Sequence, residues 1–181
     1  MDLRNTEQGY GPIARALHWW MAILLVGLVS LGLYMTAQPD GDPKWQLYDL
    51  HKSLGALAFL LALARLAWRH RSPPPALPET MKAFDQRAAH AGHLLLYAAM
   101  FALPVTGYLD SSLGGYHLSF FGWFDVPMIF AKDETLAKIV VEMHEWLGYA
   151  LALLVIIHAG AALKHHLVDR DRVLMRMLRG G

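Results

Sequence analysis

Ten histidines occur in a chain of 181 residues that contains no cysteine. Four of them, His18, His51, His144 and His158, lie near the ends of long apolar segments. Polar groups inside a membrane are costly and usually face a partner within the helix bundle. Without cysteine, thiolate zinc sites, iron–sulfur clusters and covalent c-type haem attachment are excluded. The histidines are therefore the candidate metal ligands, and imidazole nitrogen suits iron well.

The apolar residues, 55% of the chain, fall mainly in four long segments. A helix needs about 20 mostly apolar residues to cross a bilayer. The predicted fold class is therefore all-α, an integral membrane four-helix bundle in one membrane domain, residues 1–181. We expect spans at about 13–37, 48–68, 88–109 and 138–164. The polar start of the chain and the length of the first apolar segment predict a retained first span, not a cleaved signal peptide.

Basic residues are concentrated on one side of these spans. The N-terminus, the connection between the second and third spans, and the C-terminal tail carry 12 of the 16 basic and 6 of the 15 acidic residues. The other side carries 4 basic and 9 acidic residues, so the net charges are +6 and −5. The positive-inside rule then predicts that both the N and C termini lie in the cytoplasm. A total charge of +1 predicts no nucleic-acid partner.

This orientation gives each histidine a depth in the bilayer. His144 and His158 are fourteen residues apart, which places them on one helix face with an axial separation of about 21 Å. Each therefore needs its own partner. His51 lies at the depth of His144, on the outer side. The candidates at the depth of His158, on the inner side, are His18, His90 and His93.

Small neighbouring residues favour haem as the shared ligand. A flat macrocycle held between helices needs a small side chain one turn away from each ligand. Gly55 and Gly148 follow His51 and His144 by four residues. His18 is followed in the same way by alanine, whereas the two third-span histidines are followed by leucine and tyrosine. The pattern therefore favours the first-span histidine as the inner partner.

The residues thus predict two non-covalent b-type haems. His18 and His158 would bind the inner haem iron, and His51 and His144 the outer one. Two histidine ligands leave no open iron position, so the predicted role is electron transfer and not oxygen binding.

Four stretches also carry a resemblance to a known family. In chain order they read "RALHWW", "LYDLHKSLGA", "AHAGHLLLYAAMFALPVTGY" and "EMHEWLGYALALLVIIHAGAALKHH". Together they resemble the bacterial cytochrome b561 family, over nearly the whole chain. The resemblance implies two haem b groups on the same four histidines and electron transfer from a periplasmic donor to the membrane quinone pool. Because one activity in this family is the oxidation of superoxide by ubiquinone, the predicted enzyme is a superoxide:quinone oxidoreductase.

Three further residues are candidates at the two ends of the bundle. His165 is placed to hydrogen-bond a quinone at the inner interface and to exchange protons with it. Arg15 precedes His18 by three residues and could face a propionate of the inner haem. Lys52 adjoins His51 and could do the same for the outer haem. The alternative is that all three are ordinary interfacial side chains.

The electron donor stays open at this point. Superoxide is an anion, whereas the predicted outer side is net negative, so a cationic soluble redox protein is an alternative donor. The chain could also be a cytochrome b subunit or membrane anchor for a partner dehydrogenase or hydrogenase. A histidine-based metal transporter is disfavoured because the centres of the spans contain no carboxylate or thiolate.

Overall fold

Four long helices dominate the computed structural model, which describes residues 3–78 and 81–180. They are α1 (Pro12–Thr36), α2 (Asp42–Arg71), α3 (Ala83–Gly114) and α4 (Glu134–Lys164). All four are long and apolar enough to cross a membrane. The predicted membrane bundle of helices is therefore confirmed, and α2 and α3 are longer than the spans expected from hydropathy.

Short elements complete the chain. An antiparallel hairpin of β1 (Ser119–Phe120) and β2 (Phe124–Asp125) lies between α3 and α4. A π-helical turn, His165–Asp169, continues α4, and α5 (Val173–Leu178) follows it. Sequence reasoning did not identify the hairpin, because its strands are only two residues long and leave no periodic pattern.

The helix ends follow simple local rules. The carboxylate of Asp133 accepts hydrogen bonds from the N–H groups of Thr135 and Leu136, which caps α4. At the end of α3, Gly115 has a φ of 74°, a left-handed conformation that glycine adopts without strain. Pro104 lies inside α3, and the helix continues through it.

Both termini and the α2–α3 connection meet at one end of the bundle. The backbone N–H of Asn5 donates to the hydroxyl of Ser72 at 2.8 Å. Arg15 donates to the carbonyls of Met177, at 3.3 Å, and Leu178. This is the end that the charge distribution assigns to the cytoplasm, and we call it the inner end.

The opposite, outer end carries the connection between α3 and α4. Ser53, a buried residue of α2, holds this connection on the bundle. Its hydroxyl donates to the carbonyl of Ser119 at 2.9 Å and accepts from the N–H of Phe121 at 3.1 Å. The hairpin is thereby fixed to α2 within two residues of His51.

A hydrophobic layer fills the middle of the bundle between these ends. Its buried members come from all four helices and are Met21, Leu25, Ala62, Ala99, Met100 and Leu151. Leu151 is seven residues from both His144 and His158, so the layer separates the two histidine depths. Large apolar side chains outside this layer remain exposed, such as Trp20 and Leu94, as expected for helices that face lipid.

Candidate functional site

His51 of α2 and His144 of α4 face each other at the outer end. Their ring centroids are 6.2 Å apart, and both side chains are half-buried. Two imidazoles that share one metal ion have ring centres about 6 Å apart, because each bond from metal to nitrogen is about 2 Å long and each nitrogen is about 1 Å from its ring centre. The outer pair therefore has the spacing of two ligands of one iron.

Thr106 of α3 fixes the orientation of one outer ligand. Its hydroxyl lies 3.0 Å from Nδ1 of His144 and donates its own proton to the carbonyls of Ala102 and Leu103, at 2.9 and 3.0 Å. The hydroxyl can then only accept from the imidazole, which assigns the ring proton to Nδ1. The Nε2 lone pair of His144 is left available for a metal, the usual arrangement of a ligand held by an outer hydrogen bond.

Glycines on neighbouring helices pack against the outer imidazoles. A Cβ added at Gly107 of α3 would lie 3.2 Å from Cε1 of His144, and one added at Gly32 of α1 would lie 3.5 Å from Cε1 of His51. Nδ1 of His51 is buried and has no hydrogen-bond partner within the described part of the chain. Sequence reasoning missed both glycines, since neither belongs to the helix whose histidine it contacts.

The two glycines predicted from the sequence have open space beside them. A Cβ added at Gly55 or Gly148 would meet no atom within 4 Å. Room of this kind next to both outer ligands fits a flat macrocycle between the helices. Their role in cofactor binding stays a prediction.

The inner end brings together three histidines. The ring centroids of His18 and His158 are 6.1 Å apart, close to the outer spacing. His93 of α3 lies still nearer to His158, at 5.5 Å. By contrast, His90 is exposed and its Nδ1 lies 2.7 Å from the carbonyl of Gln86 in its own helix. The structure thus assembles the predicted inner pair and adds a third imidazole.

Arg65 of α2 contacts the inner pair directly. Its Nη2 donates to Nδ1 of His18 at 3.1 Å. A guanidinium can only donate, so a neutral imidazole in this contact carries its proton on Nε2. His18 can bind a metal through Nε2 only when its proton moves to Nδ1 and Arg65 takes another acceptor. Sequence reasoning treated Arg65 only as a snorkelling charge.

The two cations predicted to face haem propionates have protein partners. Arg15 binds the carbonyls at the C-terminal end, as described above. Nζ of Lys52 pairs with the carboxylate of Asp49 at 3.2 Å and donates to the carbonyl of His117 at 2.9 Å. The propionate role of both cations stays a prediction, and the contacts of Lys52 connect α2 to the loop above the outer pair.

His165 lies at the inner end, at the first residue of the π-helical turn. It is buried, with 10% of its side chain exposed. Its Nδ1 lies 2.7 Å from the carboxylate of Asp171 and 3.0 Å from that of Asp169. Nζ of Lys164 pairs with Asp169 at 2.9 Å and Asp85 at 3.2 Å, which compensates the negative charge. Single π-helical turns are often found at functional sites.

The donor groups at both depths fit b-type haem. Each depth offers two facing imidazoles with the spacing that one iron requires, and the chain has no cysteine to attach a porphyrin covalently. Bundle cores accept flat cofactors between facing helices. His18 and His158 would hold an inner haem, and His51 and His144 an outer haem.

Comparison with known proteins gives one family over the length of the chain. The model of the family described as prokaryotic cytochrome b561 matches residues 9–180. "Cytochrome b561 homolog 2" of Escherichia coli K12 is 40% identical over 98% of this chain and 95% of its own. "Cytochrome b561 homolog 1" of the same organism is 30% identical, over 88% and 91%. "Probable superoxide oxidase CybB" of Yersinia pestis is 26% identical, over 93% and 95%.

Filling the open space beside an outer ligand should displace the cofactor without disturbing the protein. We expect Gly148→Leu to lose about half of the bound haem, because its Cβ has no protein atom within 4 Å and the leucine side chain would extend into the space predicted for the macrocycle. Haem per chain and helical content by circular dichroism are measured together. The matched control is Gly27→Leu, at an exposed α1 glycine that also has open space. Equal haem loss in both variants would contradict the placement of the outer haem beside Gly148.

The glycine contact on His144 should control the geometry of the outer haem. Gly107→Ala brings a methyl group to 3.2 Å from the imidazole, tighter than ordinary contact, whereas Gly32→Ala approaches His51 only to 3.5 Å. We expect a shift in the potentiometric midpoint or low-spin EPR signal of one haem in Gly107→Ala and a smaller change in Gly32→Ala. A larger shift in Gly32→Ala than in Gly107→Ala would contradict the closer contact of Gly107 with its imidazole.

Proposed function

Since the chain belongs to the prokaryotic cytochrome b561 family, we propose that it carries electrons from a periplasmic donor to the membrane quinone pool through two b-type haems. Membership makes it a multi-pass protein of the bacterial inner membrane that binds b-type haem and works in electron transfer. Family membership alone does not establish the number of haems, the quinone or the electron donor, and these are part of our proposal. The observation that supports two haems is the presence of two histidine pairs, one on each side of an apolar layer.

The four histidines would hold the two haem irons through their imidazole nitrogens. When bound, the two haems supply one-electron oxidation and reduction at two depths of the bilayer. The protein holds the ligands in helices that are packed through the central layer, which keeps the two sites at a fixed separation of about 21 Å along α4. The same layer excludes water from the middle of the bundle, so protons do not follow the electrons.

Quinone reduction needs protons at the inner end, and His165 is placed to deliver them. It lies seven residues beyond His158 on α4, about 10.5 Å further towards the inner end. The carboxylate of Asp171 accepts from Nδ1, so the protonated ring has a second N–H, at Nε2, that can donate to a quinone carbonyl. An imidazole can both donate and accept a proton, so His165 can pass one to the quinone and regain one from the cytoplasm.

Superoxide is the first candidate donor. It is suggested by the name of the Yersinia pestis relative, which is more distant than the two Escherichia coli relatives. The reaction balances as two superoxide anions, one quinone and two protons giving two oxygen molecules and one quinol. Superoxide needs no open iron position to lose an electron, so ligation by two histidines is compatible with it.

A cationic soluble redox protein is the second candidate, and the charge of the outer end favours it. That end has a net charge of −5. Lys52, the cation next to His51, is already paired with Asp49 and has only 19% of its side chain exposed. A surface of this kind attracts a positively charged protein and repels a small anion.

The ionic-strength dependence of haem reduction separates the two donors. Purified protein is mixed with superoxide, or with a cationic soluble cytochrome, in the presence and absence of ubiquinone. For this acidic outer end we expect haem reduction by superoxide to accelerate with added salt and haem reduction by the cytochrome to slow. Salt screens the repulsion of the anion and the attraction of the cationic protein alike.

Each outcome has a definite meaning. Quinol formed at one per two superoxide supports the first donor, and haems that stay oxidised in superoxide exclude it. If haem reduction by superoxide slows with added salt, a local positive site is indicated, and the repulsion described above is contradicted. Haems that become reduced by a donor but reduce no quinone would favour an anchor for a partner enzyme.

The pair of His165 and Asp171 should affect proton delivery to the quinone and no other step. We expect Asp171→Asn to slow quinone reduction about tenfold or more, since the amide no longer holds a protonated His165 in place. Haem content and the rate of haem reduction by the donor should not change. The control is Asp85→Asn, an inner carboxylate paired with Lys164 and not with His165. Similar losses in the two variants would argue against this role.

A further inference from the structure

The inner end contains a cluster of arginines that form no ion pair with a carboxylate of the described residues. Arg65 and Arg69 lie one turn apart on α2, with their guanidinium carbons 5.4 and 5.7 Å from the ring centre of Tyr97. Arg176 of α5 reaches the α2–α3 connection, where its Nη1 donates to the carbonyl of Ala76 at 2.7 Å. We call Arg65, Arg69 and Arg176 the arginine cluster.

The three arginines act on one group, the hydroxyl of Tyr10 in the N-terminal segment. Its side chain is half-buried. Burial raises the pKa of its hydroxyl, and the positive charges of all three arginines act in the opposite direction. The cluster therefore combines α2, α5 and the N-terminal segment next to the inner histidines.

Several hydrogen-bond donors at this end have no acceptor among residues 3–78 and 81–180. Within these residues no carboxylate forms an ion pair with any member of the arginine cluster, and Asp85, Asp169 and Asp171 are engaged by Lys164 and His165. In the same part of the chain, Nε of Arg176 and Nε1 of Trp68 are buried without a partner, and both atoms are donors. These donors favour an anion as the ligand of this end.

The contact between Arg65 and His18 gives a chemical reason why the anion should be part of the haem. Arg65 donates to Nδ1 of His18, a contact that a neutral imidazole must give up when it binds iron through Nε2. The freed guanidinium then needs an acceptor, and the described residues offer no carboxylate. A haem brings two carboxylates of its own, and arginine binds carboxylates through two parallel hydrogen bonds.

We propose that the arginine cluster binds the propionate groups of the inner haem, with Arg65 as the arginine that exchanges Nδ1 of His18 for a propionate. This proposal rests on the proposed function, because it requires a haem at the inner histidines. It adds to the predicted role of Arg15, whose guanidinium binds the carbonyls of the C-terminal end. Anionic lipid phosphate is the other source of the same chemistry.

Haem release tests the proposal. Full-length protein is loaded either with haem or with its dimethyl ester, in which both propionates are blocked, and transfer to excess apomyoglobin is followed by absorbance. For Arg65→Gln/Arg69→Gln we expect one of the two haems to leave about tenfold faster or more than from the parent protein, as for the loss of a charge-assisted hydrogen bond. The dimethyl ester should leave both proteins at the same rate. The control is Arg71→Gln, an exposed arginine at the end of α2.

Three results would overturn the proposal. Faster release of haem and ester alike would give the cluster a purely structural role. An unchanged haem release rate would show that no propionate is bound there. An effect that appears only when phosphatidylglycerol is added would assign the cluster to lipid phosphate. A parent protein that binds only one haem would refute the proposed function itself, which haem quantitation before the transfer experiment detects.

Discussion

An imidazole placed between apolar helices must have a partner, and most of this structure can be understood from that requirement. Water cannot solvate the ring nitrogens inside a bilayer, so each buried histidine has to be satisfied by protein or by a bound metal. At two depths the described residues meet this requirement only in part. Thr106 lies 3.0 Å from Nδ1 of His144, while Nδ1 of His51 is buried with no partner among the described residues. Neighbouring helices pack glycine against these rings, and the open space beside Gly55 and Gly148 gives room for a group that the protein itself does not supply.

The central apolar layer is the second part of the same arrangement. It packs side chains of all four helices, including Met21 and Leu151, between the two histidine depths. Packing of this kind resists compression, so it fixes the separation of the two sites while excluding water. The two ends differ in chemistry. The outer end is acidic and closed by a hairpin fixed to Ser53, whereas the inner end combines arginines with a histidine–carboxylate pair. Electron entry without protons at one end, and electron exit with protons at the other, is consistent with this difference.

Much of the fold, and the two depths at which the four histidines face each other, could be predicted from the sequence, because both depend on patterns along a single helix. Span length follows from hydropathy, and the fourteen-residue spacing of His144 and His158 places both on one face. Contacts between different helices were harder to predict from the sequence. Gly32 and Gly107 pack on imidazoles of other helices, and no spacing rule connects them to those histidines. His93 joins the inner pair for the same reason: its proximity to His158 depends on how α3 is rotated against α4.

The charged side chains show the limit of arguing from sequence proximity. Arg15 precedes His18 by three residues, yet its guanidinium reaches the carbonyls of the C-terminal end. Arg65 is 47 residues away from His18 and contacts it directly. Long flexible side chains can choose among several acceptors, and only the packed structure decides which one is within reach.

The central claim is that the two histidine pairs each bind one haem. The most direct test is a reduced-minus-oxidised visible spectrum with haem quantitation for the parent protein, His51→Ala and His158→Ala. Two haems per chain are expected in the parent protein, with each variant retaining one, and with different spectra and midpoint potentials for the haem that remains. A colourless, fully folded parent protein, or loss of the same haem from both variants, would contradict the account.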